Sequence, residues 1–181
     1  MHELVGRLAS DVVDVDRDLE REFEARLTES STLAFRVAYS VLRHREDAED
    51  VAQEAFARAY RAFHQLRERE RFRAWLVRLT WRLALDRRRG DRRREARELA
   101  HAELQPFANG PESVDANYRS RELWRAIDTL PDKLRMALVL ASIEGHDLAE
   151  VAALLRLPLG TVKSRLFLAR RRLKEQLEWI R

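Results

Sequence analysis

From about Asp16 onward the apolar residues of this chain recur at steps of three and four, the spacing of one face of an α-helix. The most regular stretch is EDAEDVAQEAFARAYRAF, where Ala48, Val51, Ala52, Ala55, Phe56, Ala59 and Phe63 form a single stripe. Two helices are predicted before it, Asp18 to Thr28 and Ser31 to Leu42, the second carrying LAFRVAYSVL. A polar loop, HQLRERER, then leads to a fourth helix that starts near Phe72 and runs into DRRRGDRRR. Phe72, Leu76, Leu79 and Leu83 make its core stripe, while Val77, Trp81 and Leu85 make a second. Two apolar stripes predict a helix sandwiched between neighbours. Trp81 therefore reads as core before it reads as a platform for an unpaired base.

The pattern breaks between Ala96 and Ala116, where QPFANGPES clusters Pro and Gly, so this segment reads as a linker. About 20 extended residues reach roughly 70 Å. Helical spacing resumes from Tyr118 to Leu130, with Leu123, Ile127 and Leu130 as its apolar content. Pro131 suits the first position of the next helix, and Gly145 its left-handed cap. Asp147 and Glu150 have capping-box spacing ahead of the stripe Leu148, Val151, Ala152 and Leu155. A turn of about five residues, Arg156 to Gly160, precedes a last helix that Thr161 can cap. Val162, Leu166, Ala169 and Leu173 lie within one narrow arc of it and face the preceding helix. The expected fold is all-α: two small helical domains joined by a flexible linker, the second a helix-turn-helix. The boundaries read as a tail at 1–17, a domain at 18–95, a linker at 96–117 and a domain at 118–181.

Composition sharpens this picture. Among 181 residues there are 5 Gly, 4 Pro and no Cys, which favours helices and excludes disulfides and thiolate metal sites. The longest apolar run, MALVLAS, falls far short of the roughly 20 residues of a membrane span. The acidic N-terminus lacks the order of a signal peptide, so a soluble cytoplasmic protein is expected. The net charge of +4 hides alternating blocks. Basic against acidic residues number 8 to 14 over 1–60, 14 to 6 over 61–100, 5 to 9 over 101–155, and 8 to 2 over 156–181. Two basic blocks around an acidic middle fit two polyanion-binding modules.

The last basic block carries the clearest chemistry. No acid occurs from Val151 to Lys174. Lys163, Ser164, Phe167, Leu168, Arg171 and Lys174 point away from the apolar arc, and Arg165, Arg170 and Arg172 flank it. Surface helices that serve only solubility mix the two signs. A cationic face with an exposed Phe suits a major groove, where phosphates attract the charges and a thymine methyl can meet the ring. In DRRRGDRRR, Arg87 to Arg89 and Arg92 to Arg94 exceed what a helix end needs, which favours phosphate contact. Catalysis has little to work with. The five His are scattered, and there is no HExxH, glycine-rich phosphate loop or Ser nucleophile signature. Neither a metal nor a cofactor is expected.

The stretch LPDKLRMALVLASIEGHDLAEVAALLRLPLGTVKSRLFLARRRL resembles the promoter-binding C-terminal domain of extracytoplasmic-function sigma factors. REDAEDVAQEAFARAYRAF is similar to that family's polymerase-docking helix, and FRAWLVRLTWRLALDRRR to the helix that engages the melted downstream element. The resemblance implies an alternative sigma factor, which is not an enzyme. Its partners would be core RNA polymerase and promoter DNA, duplex upstream and melted downstream, with an anti-sigma factor as a further partner the family allows. It places Thr161, Lys163, Ser164, Arg165, Phe167 and Arg171 at the upstream element. His64, Gln65, Arg78, Arg82, Arg88 and Arg89 fall at the downstream strand, with 64–71 as a base-capture loop. Asp47, Asp50, Gln53 and Glu54 fall at the polymerase. The chain departs from the family pattern with Arg82 in place of Asn, Arg156 in place of Gly and Leu168 in place of a basic residue. A stand-alone helix-turn-helix regulator and a protein that sequesters polymerase are the alternatives.

Overall fold

The computed structural model describes the backbone of residues 2–101 and 114–177, and side chains at 17–94, 97 and 120–177. Seven helices make up the described residues: α1 (His2–Leu42), α2 (Arg45–Phe63), α3 (Phe72–His101), α4 (Val114–Thr129), α5 (Asp132–Leu138), α6 (Leu148–Leu155) and α7 (Leu159–Leu177). The chain divides into two compact units, 1–85 and 86–181, with the division inside α3. The fold is all-α, as the periodicity predicts, and none of the described helices is long and apolar enough to cross a membrane.

In the first unit, α1 is one helix where two are predicted. The Glu29–Thr32 stretch contains no Gly or Pro, and the hydroxyls around it bond back into the helix instead of capping a new one. Ser31 Oγ donates to Thr28 O at 3.2 Å, and Thr28 Oγ1 to Glu24 O at 2.8 Å. Such back-bonding lets Ser and Thr remain inside a helix. The helix ends where Arg43 adopts a left-handed backbone (φ 55°) and its N–H donates to Tyr39 O at 2.8 Å. The chain then reverses, and α2 lays Ala48, Val51, Ala52, Ala55, Ala59 and Phe63 against α1, with Phe56 half-buried at the edge.

Four aromatic rings close this core. Phe23 of α1 meets Tyr60, Phe63 and Phe72 edge-on, at ring-centre distances of 5.2, 5.2 and 5.8 Å, and Phe63 meets Phe72 at 5.5 Å. Both stripes of α3 are engaged. Phe72 and Leu76 are buried with Leu79 and Leu83 packed beside them, while Val77, Trp81 and Leu85 are buried on the other side. Trp81 is 5% exposed and so serves the core, not a stacked base. Gly90 does not break α3, which continues to His101; the linker expected at 96–117 lies partly outside the described residues.

In the second unit α7 is the centre of packing. Its predicted stripe, Val162, Leu166, Ala169 and Leu173, is fully buried against α5, α4 and α6. Ile127 and Leu130 of α4 join the core, but Leu123, also expected there, is 41% exposed. Pro131 stands one position ahead of its predicted place and caps α5, its carbonyl accepting from Leu134 and Arg135 at 2.9 and 3.0 Å. The helix widens to a π turn at Val139–Ile143 and stops at Gly145, whose φ of 75° matches the predicted cap. Asp147 and Glu150 form the expected capping box: Asp147 Oδ1 accepts from the N–H groups of Ala149 and Glu150, both at 2.8 Å, and Glu150 Oε2 from that of Asp147 at 3.2 Å.

The turn between α6 and α7 is shorter than predicted. Arg156 adopts the left-handed conformation (φ 56°, ψ 51°), so that Leu157 N–H reaches Ala152 O at 2.9 Å. For a residue with a Cβ this conformation costs about 1 kcal/mol. Pro158 O then accepts from Thr161 and Val162 at 2.9 and 3.2 Å, so α7 already begins at Leu159. Thr161 therefore sits inside the first turn and is not the cap. Replacing Asp147 by Ala should lower stability by about 1 kcal/mol, measured by urea unfolding. An unchanged midpoint would mean that the capping box contributes nothing.

Candidate nucleic-acid interface

Because α7 commits one side to the core, its other side is forced outward. Lys163, Ser164, Phe167, Leu168, Arg170, Arg171, Arg172 and Lys174 are exposed, Phe167 to 66%. Thr161 and Arg165 are half-buried along the seam. Leu166 and Phe167 line a shallow depression together with Lys163, Arg170, Arg171 and Lys174, and Leu148 of α6 joins them. Ser164 Oγ donates to Gly160 O at 3.0 Å, which leaves its oxygen as an acceptor. Arg171 lies 3.6 Å from Glu175, an exposed pair worth little in water. The outer face of α7 thus combines an exposed aromatic ring with a surround of cations.

The first unit offers two more surfaces. On α2, Asp50, Gln53 and Glu54 are exposed opposite the buried stripe. Glu54 pairs with Arg58 at 2.7 Å. Asp47 is half-buried in the first turn, where His44 Nδ1 accepts from its N–H at 3.4 Å. His64 and Gln65 follow α2 directly and are exposed, their Nε2 atoms 3.2 Å apart. Arg82 is exposed on α3 and Arg78 half-buried.

The arginine run at the end of α3 is less available than its composition implies. Asp86 and Asp91 take Arg89 at 3.5 Å, Arg87 at 3.5 Å and Arg94 at 3.2 Å, each pair within about one turn. Arg89 also reaches Asp132 at 3.1 Å. These exposed pairs are weak enough to exchange for phosphate. Arg88 differs. Within the second unit it donates to Asp128 at 2.8 Å, with both side chains only 13% exposed. Burial lowers its pKa, the Asp128 carboxylate works against that, and Arg135 and Arg92 add repulsion. Arg135 is buried too; it pairs with Asp132 at 2.5 Å and lies 3.6 Å from Asp128. Arg88, expected at the downstream strand, is thus held by the Asp128 carboxylate here. The ties from α3 to Asp128 and Asp132 had no sequence signal, since they join residues 40 or more positions apart.

Family comparison agrees with this geometry. Residues 28–94 match the Sigma-70 region 2 model and 120–173 the Sigma-70 region 4 model, which defines a two-region helical protein of the sigma-70 class. The chain belongs to the ECF RNA polymerase sigma factors, the alternative sigma factors that direct transcription initiation. It is 33% identical over 142 residues to the ECF RNA polymerase sigma-E factor of Escherichia coli K12, covering 73% of this chain and 74% of that one. It is 38% identical over 146 residues to the ECF RNA polymerase sigma factor SigE of Mycolicibacterium smegmatis, covering 79% of this chain and 56% of that longer protein. Two solved structures share the fold at 24% identity. They are the sigma factor RpoE of Bartonella quintana in complex with the anti-sigma factor NepR (TM-score 0.56, 89% of this chain and 99% of that one) and CnrH in complex with the cytosolic domain of CnrY (TM-score 0.58, 88% and 89%).

Removing Asp128 takes the shared carboxylate from two buried guanidinium groups. Asp128→Ala should cost about 3 kcal/mol, read from urea unfolding followed by circular dichroism. A midpoint equal to the parent's would mean that the pairing is not made in solution.

Proposed function

We propose that this chain binds core RNA polymerase through the exposed face of α2 around Asp47, Asp50, Gln53 and Glu54. In the resulting holoenzyme α7 reads the upstream promoter element in the duplex. The loop at 64–71 and the exposed arginines of α3 hold the opened downstream strand. The single observation that carries this reading is the division of α7 into a buried stripe and an acid-poor outer face with Phe167 at its centre. A helix that only packed or only solubilised would not expose that ring among cations.

In this reading Lys163, Ser164 and Phe167 meet bases, while Thr161, Arg165 and Arg171 lie toward the backbone phosphates. Arg82, Arg78 and Arg89 serve the melted strand, Arg89 after exchanging its surface acids. Contacts to separated bases exist only after opening, so they offset the cost of melting and favour the open state. The protein supplies no catalytic group; the polymerase does the chemistry. It acts in the cytoplasm, where promoter and polymerase meet. An anti-sigma partner would act by covering one of these faces. A stand-alone regulator would not need the α2 face, and a sequestering protein would not need the α7 face.

Co-migration with core RNA polymerase on size exclusion, with and without labelled promoter DNA, tests the proposal as a whole. Failure to bind core enzyme would remove it. Lys163→Ala with Phe167→Ala should abolish promoter selection while core binding stays intact. An equal fall in core binding would contradict the assignment. Gln53→Ala with Glu54→Ala should weaken core binding about tenfold in a titration, the effect of roughly 1.4 kcal/mol; an unchanged affinity would count against that face.

A further inference from the structure

The loop from His64 to Arg71 runs between the two rings Phe63 and Phe72, yet its own backbone bonds are local. Gln65 N–H donates to Ala62 O at 3.0 Å, Leu66 N–H to Phe63 O at 3.1 Å and Arg71 N–H to Glu68 O at 3.0 Å. Such turns shape a loop without fixing where it lies. The loop reaches α1 through Arg69, whose Nη1 donates to Glu22 Oε2 at 2.8 Å across 47 residues of sequence. The other carboxylate oxygen, Oε1, takes Arg26 Nε at 2.9 Å from the next turn of α1. The Arg69 guanidinium also lies over the Phe63 ring, 5.5 Å from its centre. Both oxygens of one carboxylate are therefore committed, one to the loop and one to the helix that carries it.

Glu22 is well placed for this task. It adjoins Phe23, the ring on which Phe63 and Phe72 converge, so the tether starts from a point of α1 anchored in the core. Partial burial pushes its pKa up, but the hydrogen bonds and charges of Arg26 and Arg69 outweigh that and hold it below its ordinary value of 4.5. The pair is thus present at neutral pH and lost only when pH falls below that value. A polar cleft opens between Glu22 and Arg26 on one side and loop residues 67–71 on the other. Glu22 also lies outside the span 28–94 that matches the region 2 model.

We infer that Glu22 is a positioning residue for promoter opening: through Arg69 it presets loop 64–71, so that His64 and Gln65 meet the melted strand already ordered. This rests on the reading of that loop given above. Preorganisation and simple electrostatics predict opposite signs here. An acid near nucleic acid repels it, so removing Glu22 should tighten DNA binding if charge alone matters. If the carboxylate positions the loop, removing it should weaken binding to the opened strand.

The test uses holoenzyme reconstituted from full-length chain and core RNA polymerase. One arm measures affinity for a single-stranded downstream promoter fragment, the other the rate of open-complex formation on duplex promoter. Glu22→Gln should lower both by roughly five- to tenfold, the reduction expected when a loop must be ordered during binding. Affinity for core polymerase should stay within about twofold, since the α2 face is untouched. Arg69→Ala leaves α1 intact and should give the same reduction, and the double variant should be no worse than either single one. Wild-type or tighter strand binding by Glu22→Gln would overturn the proposal, as would additive effects in the double variant. His64→Ala with Gln65→Ala serves as the reference. If that variant binds the strand normally, the loop's assignment falls and this inference with it; if its binding drops while that of Glu22→Gln does not, only the positioning role falls.

Discussion

The meeting of Phe23, Phe63 and Phe72 is the constraint on which the first unit depends. Edge-to-face contact places the positive rim of one ring on the negative face of another, and burial adds the larger share of the energy. One of these rings ends α2 and another begins α3, so both helices must return to the same point on α1. The loop between them therefore has fixed ends, whatever its own sequence prefers. This explains how a segment as charged as HQLRERER still begins and ends at defined points.

Two helices, α7 and α3, solve the same problem in different ways. Each gathers positive charge on its surface, although cations repel one another. In the second unit α7 does this by separation, with an apolar stripe inward and cations outward. In α3 the run of arginines is interleaved with Asp86 and Asp91, which lower the repulsion locally and can be displaced. Exposure decides which pairs are exchangeable. Arg89 sits in water, where its pairs are worth a fraction of a kcal/mol, whereas Arg88 and Asp128 are shielded from it, where breaking a pair is costly. Neighbouring residues of one basic run thus differ: Arg88 is held in a shielded pair, whereas the pairs of Arg89 are exposed and exchangeable.

Much of this was legible in the residues themselves. The stripes of α2, α3 and α7 follow from spacing, and Gly145 and the Asp147–Glu150 box are short-range chemistry that sequence states directly. The misreadings share a cause. Ser31 and Thr28 have the composition of a cap, and only the direction of their hydroxyls tells a cap from a helix interior. Thr161 has the character of an N-cap while Pro158 and Leu159 have that of a turn, but the Pro158 carbonyl starts the helix earlier. Leu123 has the spacing of a core residue and stays exposed all the same. The ties from Arg69 to Glu22 and from Arg88 to Asp128 join distant parts of the chain, and periodicity carries no mark of them. The outer face of α7 was the most legible part of the interface, because its freedom from acids up to Lys174 is a property of sequence alone.

The left-handed Arg156 has an evolutionary consequence. Every arginine codon becomes a glycine codon by one change at its first base, so relief of that backbone strain lies a single nucleotide away. A fold that tolerates the strain needs no more stability than it has. What the substitution would remove is a cation just ahead of α7, so at this codon backbone ease comes only with a loss of positive charge.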